Sequence, residues 1–244
     1  LKSSLHGTGS TAISSFRGAR PPHSAVETEL SFKYGRSVDS NVKDTGTATA
    51  VTATPSGTST RIEILKSAAL AFRQLGYHGA TVEQIAATLE MKKGNLYYYF
   101  KNKEDILFGC HQYSLDNLLA VLSDIEASNA RPDEKLRNLI VSFVHIILDH
   151  LFGIALFMDL EALNPEHRRE VIERRDQFDR GLRRVVQEGV DQGLFRPVDV
   201  KLVSFAILGA VNWIRRWYRP DGPSNSQEIA DRFADFLLAG LRPV

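Results

Sequence analysis

From Thr60 to the C-terminus apolar residues recur at three- and four-residue steps, and no run alternates with period two. That pattern gives a series of helices one apolar stripe each and leaves nothing from which to build a sheet. Ile62, Leu65, Ala69, Phe72 and Leu75 mark a first helix, with Gly76 as a natural C-cap. Thr81 opens a short second helix: Gln84 stands three places on as a capping-box partner, and Val82, Ile85, Ala86 and Leu89 form the apolar face. Glu90-Met91 makes a brief turn, and a third helix runs from about Lys92 to Phe100. A fourth starts near Lys103 and passes through Ile106, Leu107, Tyr113, Leu118 and Leu122. Pro132 and Pro165 read as N1 prolines, the first ahead of Leu136–His150 and the second ahead of a long charged helix from Glu166 to about Gln192. Pro197 precedes a helix over Val200–Tyr218, Pro220-Asp221-Gly222-Pro223 breaks the chain, and a last helix spans about Ser226–Leu241. The expected fold is all-α with about nine helices, a small N-terminal three-helix domain followed by a larger C-terminal helical bundle.

Residues 1–58 do not share the pattern. Thr, Ser, Gly and Ala dominate, and the apolar residues have no period. Such a segment buries too little apolar surface to offset its ordering entropy, so a disordered N-terminal extension is expected over 1–58. Its six Lys/Arg face four Asp/Glu, which gives little support to a DNA-binding arm. That the chain begins with Leu1 fits a processed product, a fragment or an over-extended reading frame alike. The remainder divides into 59–105 and 106–244.

Charge and cysteine content exclude several classes. Thirty Lys+Arg against twenty-nine Asp+Glu give a net charge of +1, which rules out a nonspecific polybasic binder but not a local basic patch. One cysteine, Cys110, builds neither a disulfide framework nor a multi-cysteine zinc site and fits a reducing compartment. No apolar run reaches the ~18 residues of a membrane helix, and no h-region follows Lys2, so a cytoplasmic protein without membrane contact is expected. There is no phosphate-binding Gly-rich loop, no G-x-S-x-G elbow and no H-E-x-x-H. Cys110 and His111 are adjacent and diverge by ~100° on a helix, a poor nucleophile pair. His145, His150, Asp159 and Glu161 make no compact ligand set. The expectation is therefore no enzyme, no cofactor and no metal.

Three short helices with a tight link between the second and third make a helix-turn-helix candidate. Val82, Ile85, Ala86, Leu89 and Leu96 would pack the pair, with Ala86 small where the helices cross. The third helix presents Lys92, Lys93, Asn95, Tyr97, Tyr98 and Tyr99. Lysine supplies charge for phosphates or guanine edges, asparagine pairs with adenine, and tyrosine offers hydroxyls to phosphates. Four consecutive aromatics, Tyr97 to Phe100, cannot all face inward at 100° per residue, and exposure beside Lys92, Lys93, Lys101 and Lys103 favours DNA. Gly94 costs ~1 kcal/mol inside a helix, which a close backbone approach to DNA would justify.

Thr81-Val82-Glu83-Gln84-Ile85-Ala86, followed by Lys93-Gly94-Asn95-Leu96-Tyr97-Tyr98-Tyr99-Phe100-Lys101-Asn102-Lys103-Glu104-Asp105-Ile106-Leu107, resembles the signature of TetR-type transcriptional repressors over about Thr60–Phe108. The resemblance implies that Thr81 caps the second helix against a phosphate, that Lys93 and Asn95 read bases, and that Tyr97, Tyr99 and Lys103 face phosphates. Phe100 and Leu107 become core positions. The sequence departs from the pattern at Glu90, where the turn often has Gly.

The segment after 106 has an acidic excess and is assigned to dimerisation and effector binding. Ala206-Ile207-Leu208-Gly209-Ala210-Val211-Asn212-Trp213 is a small-residue helix face. With Phe233, Phe236, Leu237, Leu238 and Leu241 it makes either a four-helix homodimer interface through the last two helices or intramolecular core. Arg215-Arg216-Trp217-Tyr218-Arg219-Pro220-Asp221-Gly222-Pro223 puts three arginines and two aromatics within five residues. Arginines suit phosphate or carboxylate recognition; the bland alternative is a helix C-terminus whose cations complement the dipole. The segment is similar to one in TetR-type regulators of fatty-acid, steroid and aromatic-acid breakdown, several of which respond to acyl-CoA thioesters. That resemblance implies a CoA-facing role for Arg216, although a family tryptophan four places earlier is Asn212 here, with Trp213 adjacent. Phe143, Ile147, Phe157 and Phe178, together with Trp213 and Arg216, are the candidate ligand contacts. The expectation is a homodimeric, ligand-responsive repressor that binds palindromic double-stranded operator DNA, with an acyl-CoA thioester as the favoured effector. A repressor of a drug-efflux gene and a ligand-independent DNA-binding regulator are the alternatives.

Overall fold

The computed structural model describes residues 57–148 and 160–243. The expected disorder of 1–58 lies outside the described residues but for its last two, Gly57 and Thr58, which already belong to the first helix. Among the described residues there are eight α-helices and one 3₁₀ turn, and no strand. Helix α1 spans Gly57–Gly79, α2 Val82–Thr88, α3 Lys93–Tyr99 and α4 Lys103–Ala127. Helix α5 spans Pro132–Leu148, and the 3₁₀ turn Leu160–Ala162 leads into α6, Pro165–Asp191. Helices α7, Val200–Trp217, and α8, Ser226–Ala239, complete the chain.

The boundaries follow from local chemistry. Gly76 has φ 72°, a left-handed conformation that interrupts α1 where the C-cap was expected. Thr81 accepts the Gln84 N–H at 3.2 Å while the Gln84 side chain accepts the Thr81 N–H at 2.9 Å, the reciprocal capping box. Asn102, Asn164, Asp199 and Asn225 cap α4, α6, α7 and α8 with side-chain oxygens. Pro132 and Pro165 stand at the starts of α5 and α6, where a missing N–H costs nothing.

Packing divides the work. Ile64, Leu65, Ala68 and Phe72 of α1 meet Val82, Ile85 and Ala86 of α2, Leu96 of α3, and Ile106 and Leu107 of α4, all buried. Helix α4 continues from this small core into the larger one, where it lies along α6 while α5 lies along α8. Gly181 of α6 sits directly against Leu122 of α4, so that a Cβ there would overlap the leucine side chain. No described helix is long and apolar enough to cross a membrane.

Candidate functional site

The reading face is built by α2 and α3. Leu96, fully buried, fixes α3 against α2, and Phe100, 1% exposed, closes the core behind it under the Arg61 guanidinium. The four-aromatic run is thereby split. Phe100 is core, Tyr99 is half-buried, Tyr97 is 42% exposed and Tyr98 is 85% exposed. Lys92, Lys93, Gly94 and Asn95 are all exposed. A Cβ added at Gly94 would meet no atom within 4 Å, so nothing inside the protein demands glycine there. Glu90, in the turn, has φ 53°, the left-handed conformation that explains why glycine suits this position.

Several expected DNA contacts already have internal partners. The Lys93 ammonium pairs with the Glu83 carboxylate across the α2–α3 junction and lies 5.6 Å from the Tyr97 ring centroid. Its hydrogen bond to Glu83 holds Lys93 above the ordinary lysine pKa and Glu83 below the ordinary carboxylate value. Lys103 is placed differently from a phosphate contact. Its ammonium donates to the carbonyls of Tyr77 at 2.8 Å and Ala80 at 3.0 Å and sits over the Tyr77 ring, tying α4 to the end of α1. The Thr81 hydroxyl serves the capping box. Lys101 is exposed, and its backbone N–H donates to Asp105 at 3.0 Å.

The second feature is a cavity of about 300 Å³ among α4, α5, α6 and α7. Leu115, Leu118, Phe143, Phe178, Phe205 and Leu208 supply the apolar wall, and Arg175, Asp176, Asp179 and Asn212 the polar positions. Phe143 and Phe178, both expected ligand contacts, meet here with ring centroids 5.1 Å apart. Ile147 is buried but does not line the cavity, and Phe157 lies outside the described residues. Trp213 and Arg216 are exposed, with the guanidinium 5.7 Å from the indole centroid, and α7 faces the cavity through Leu208 and Asn212 instead.

Comparison with known proteins agrees with this geometry. Residues 64–110 match the family described as bacterial regulatory proteins, tetR family, and residues 129–241 match the tetracyclin repressor-like C-terminal domain. The transcriptional repressor KstR2 of Mycobacterium tuberculosis is 32% identical over 187 residues, covering 75% of this chain and 93% of the relative. The chain belongs to the TetR family. PfmR, a TetR-family regulator of Thermus thermophilus, superposes with a TM-score of 0.68 at 34% identity, over 74% of this chain and 99% of that one. AibR in complex with isovaleryl coenzyme A and operator DNA superposes with a TM-score of 0.65 at 31% identity, over 75% and 98%.

As a TetR-family regulator the protein is a transcription factor and not an enzyme. The environment of the one Cys/His neighbour pair agrees. Burial pushes the Cys110 thiol up to about 12, and burial together with the charge of Arg175 pushes His111 down to about 3. The sequence pattern does not single out Arg175, and it raises His111 only as a neighbour of Cys110. Arg175 falls on the apolar stripe of α6 between Val171 and Phe178, and His111 on that of α4 between Leu107 and Leu115. A charged or polar residue at a stripe position is the signal that would have found both. The arginine cluster of α7 is also wider than its sequence segment. Arg215 lies below the ordinary arginine pKa, first through burial and then through repulsion from Arg216 and from Arg73 of α1.

Proposed function

We propose that this protein is a homodimeric, cytoplasmic repressor that binds a palindromic operator and is released by a hydrophobic acyl thioester. The observation that carries the DNA half is the exposed face of α3, with Lys92, Lys93, Asn95, Tyr97 and Tyr98 outward on a helix anchored by Leu96. Thr81, Tyr99 and Lys101 flank it as backbone-positioning groups, while Lys103 supports the face by holding α4 to α1. The domain 59–105 has modest charge, so binding comes from placement and from two half-sites about one helical turn apart.

Two half-sites need a dimer. Leu202, Phe205, Trp213 and Trp217 of α7 and Phe236 of α8 are all exposed, Trp213 by 62% and Phe236 by 79%. Large apolar side chains left exposed on the last two helices mark an interface, and here the occupant is a second copy of the chain. The effector reading rests on the apolar cavity with an arginine in its wall and on the cations Arg73, Arg215 and Arg216, which suit the phosphates of a thioester carrier. The relatives point the same way, one regulating as KstR2 and one holding isovaleryl coenzyme A with operator DNA. Helix α4 runs from the reading head to the cavity, and at its start Glu104 accepts the N–H of Asn164 at 3.1 Å and contacts the His167 ring at 2.9 Å. A ligand that prefers one spacing of α4 and α6 shifts the heads by that preference alone.

The test is operator binding at stated salt with DNA from the upstream region of the gene, titrated with acyl-CoA thioesters, free acids and cationic drugs. Release by thioesters supports the reading. Release by drugs alone replaces it with efflux control, and binding that no compound disturbs leaves a ligand-independent regulator. Lys93→Ala with Asn95→Ala should abolish the preference for operator over random DNA, since each base pair read is worth about 1–3 kcal/mol.

A further inference from the structure

We propose that Glu83 is a specificity-determining residue of the reading face: it withholds the Lys93 ammonium from phosphates and leaves two of its N–H groups for a base edge. The inference rests on the reading that α3 enters the major groove.

The four lysines around α3 are not equivalent. Lys92 and Lys101 are exposed, and their ammonium groups pair with no carboxylate among the described residues. Lys103 is bound to the carbonyls of Tyr77 and Ala80. Lys93 is paired with the carboxylate of Glu83. Glu83 stands second in α2 and Lys93 first in α3, so the pair spans the turn of the motif. The side chains are 58% and 47% exposed, which places the pair on the face offered to DNA and not in the core. The Tyr97 ring centroid lies 5.6 Å from the same ammonium. Their mutual hydrogen bond raises the pKa of Lys93 and lowers that of Glu83, so both keep their charges near neutral pH.

A lysine ammonium carries three N–H donors. Lys93 gives one to Glu83 Oε1, and two remain. Guanine presents two acceptors in the major groove, O6 and N7, so the pair reads guanine without breaking. A phosphate is a different partner. It brings a full negative charge beside the Glu83 carboxylate, and the two anions repel at that range. If Lys93 leaves Glu83 for the phosphate, one anion replaces another and the carboxylate is stranded in the groove. Taken as a unit the pair is neutral, so it releases no counterion from random DNA and adds nothing to non-specific affinity. Lys92 and Lys101 then supply general attraction, and Lys93 supplies discrimination.

The test is fluorescence anisotropy of the full chain on a random-sequence duplex and on operator DNA from the upstream region of the gene, each over a range of salt concentrations. In Glu83→Gln the released Lys93 is expected to reach a phosphate. Random-sequence binding should tighten by about threefold or more, and the slope of log affinity against log salt should steepen by about two for a dimer with two copies of the pair. Operator affinity should change by less than about twofold, so the operator-to-random ratio falls. Lys93→Ala should leave the random-sequence slope of the unaltered protein in place and remove the slope added by Glu83→Gln. Glu90→Gln takes the same charge from the exposed turn after α2 and should leave the slope within about half a unit. A random-sequence slope unmoved by Glu83→Gln overturns the proposal. Equal responses to Glu83→Gln and Glu90→Gln also overturn it, because net charge alone would then explain both. So does a slope that already falls with Lys93→Ala in the unaltered protein, which would put Lys93 on a phosphate. Lys93→Ala with Asn95→Ala separates this role from the reading beneath it. Operator preference kept in that variant removes α3 as the reading helix, and the role of Glu83 with it. Preference lost there, with an unmoved Glu83→Gln slope, removes the role of Glu83 alone.

Discussion

Gly94→Ala separates the needs of folding from those of DNA binding, because the two move in opposite directions. Gly94 is the second residue of α3, is exposed, and has no atom within 4 Å of the place a Cβ would occupy. Its backbone is not left-handed, so alanine fits without strain. Alanine in place of an unstrained helical glycine adds roughly 0.5–1 kcal/mol, because the unfolded chain loses freedom and the helix gains propensity. For a chain of this size that raises Tm by about 1–4 °C. The side chain would project from the reading face between Lys93 and Asn95. A DNA backbone seated against that face would be displaced, and the contacts on either side weakened together. The expected result is a more stable protein whose operator affinity falls at least tenfold, with random-sequence binding reduced less. Thermal unfolding and fluorescence anisotropy on the same preparation read both. A stabilised variant with unchanged operator affinity would refute the argument that glycine is kept there for DNA.

Glu90→Gly should stabilise the protein by about 0.5–1 kcal/mol, since the left-handed conformation at φ 53° costs an L-residue roughly 1–2 kcal/mol and glycine gives part of that back in chain entropy; urea unfolding checks it. Trp213→Glu, at an exposed position, should leave the fold intact, convert dimer to monomer in sedimentation, and reduce operator affinity at least tenfold. A dimer that survives would move the interface off α7. The protein should lose stability as pH falls from about 6.5 toward about 3, because the unfolded state protonates His111 before the folded state does. The loss from this group at pH 5 is on the order of 2 kcal/mol relative to pH 7.5, and His111→Leu should remove it. Equal acid sensitivity in that variant would show that other groups set the acid limb.

The parts legible in the sequence are those fixed within a few residues. Capping boxes at Thr81–Gln84 and Asn225–Glu228 reach three places along the chain, and the prolines at 132 and 165 act on their own backbone. The helices therefore begin close to where their residues say, and the helix-turn-helix motif follows because its core, Val82, Ile85, Ala86 and Leu96, lies within fifteen residues of chain. Helical periodicity also limits the exposed aromatics, since a run of four cannot be buried on one face.

Tertiary packing decided what periodicity leaves open, which is what a given stripe packs against. The sequence marks Phe143 and Ile147 as equivalent positions on one helix, yet only Phe143 lines the cavity. Lys103 has the charge and place of a phosphate contact, but the carbonyls left at the end of α1 lie within its reach and hold it. Arg175 and His111 are widely separated in sequence, and their relation exists only because α6 lies along α4. Trp213 and Phe236 are apolar residues at helical spacing that would pass for core, but α5 packs against α7 and α8 and these two side chains stay outward. Short-range hydrogen bonds are written in neighbouring residues, whereas a cavity or an exposed face depends on the mutual placement of helices joined by long stretches of chain.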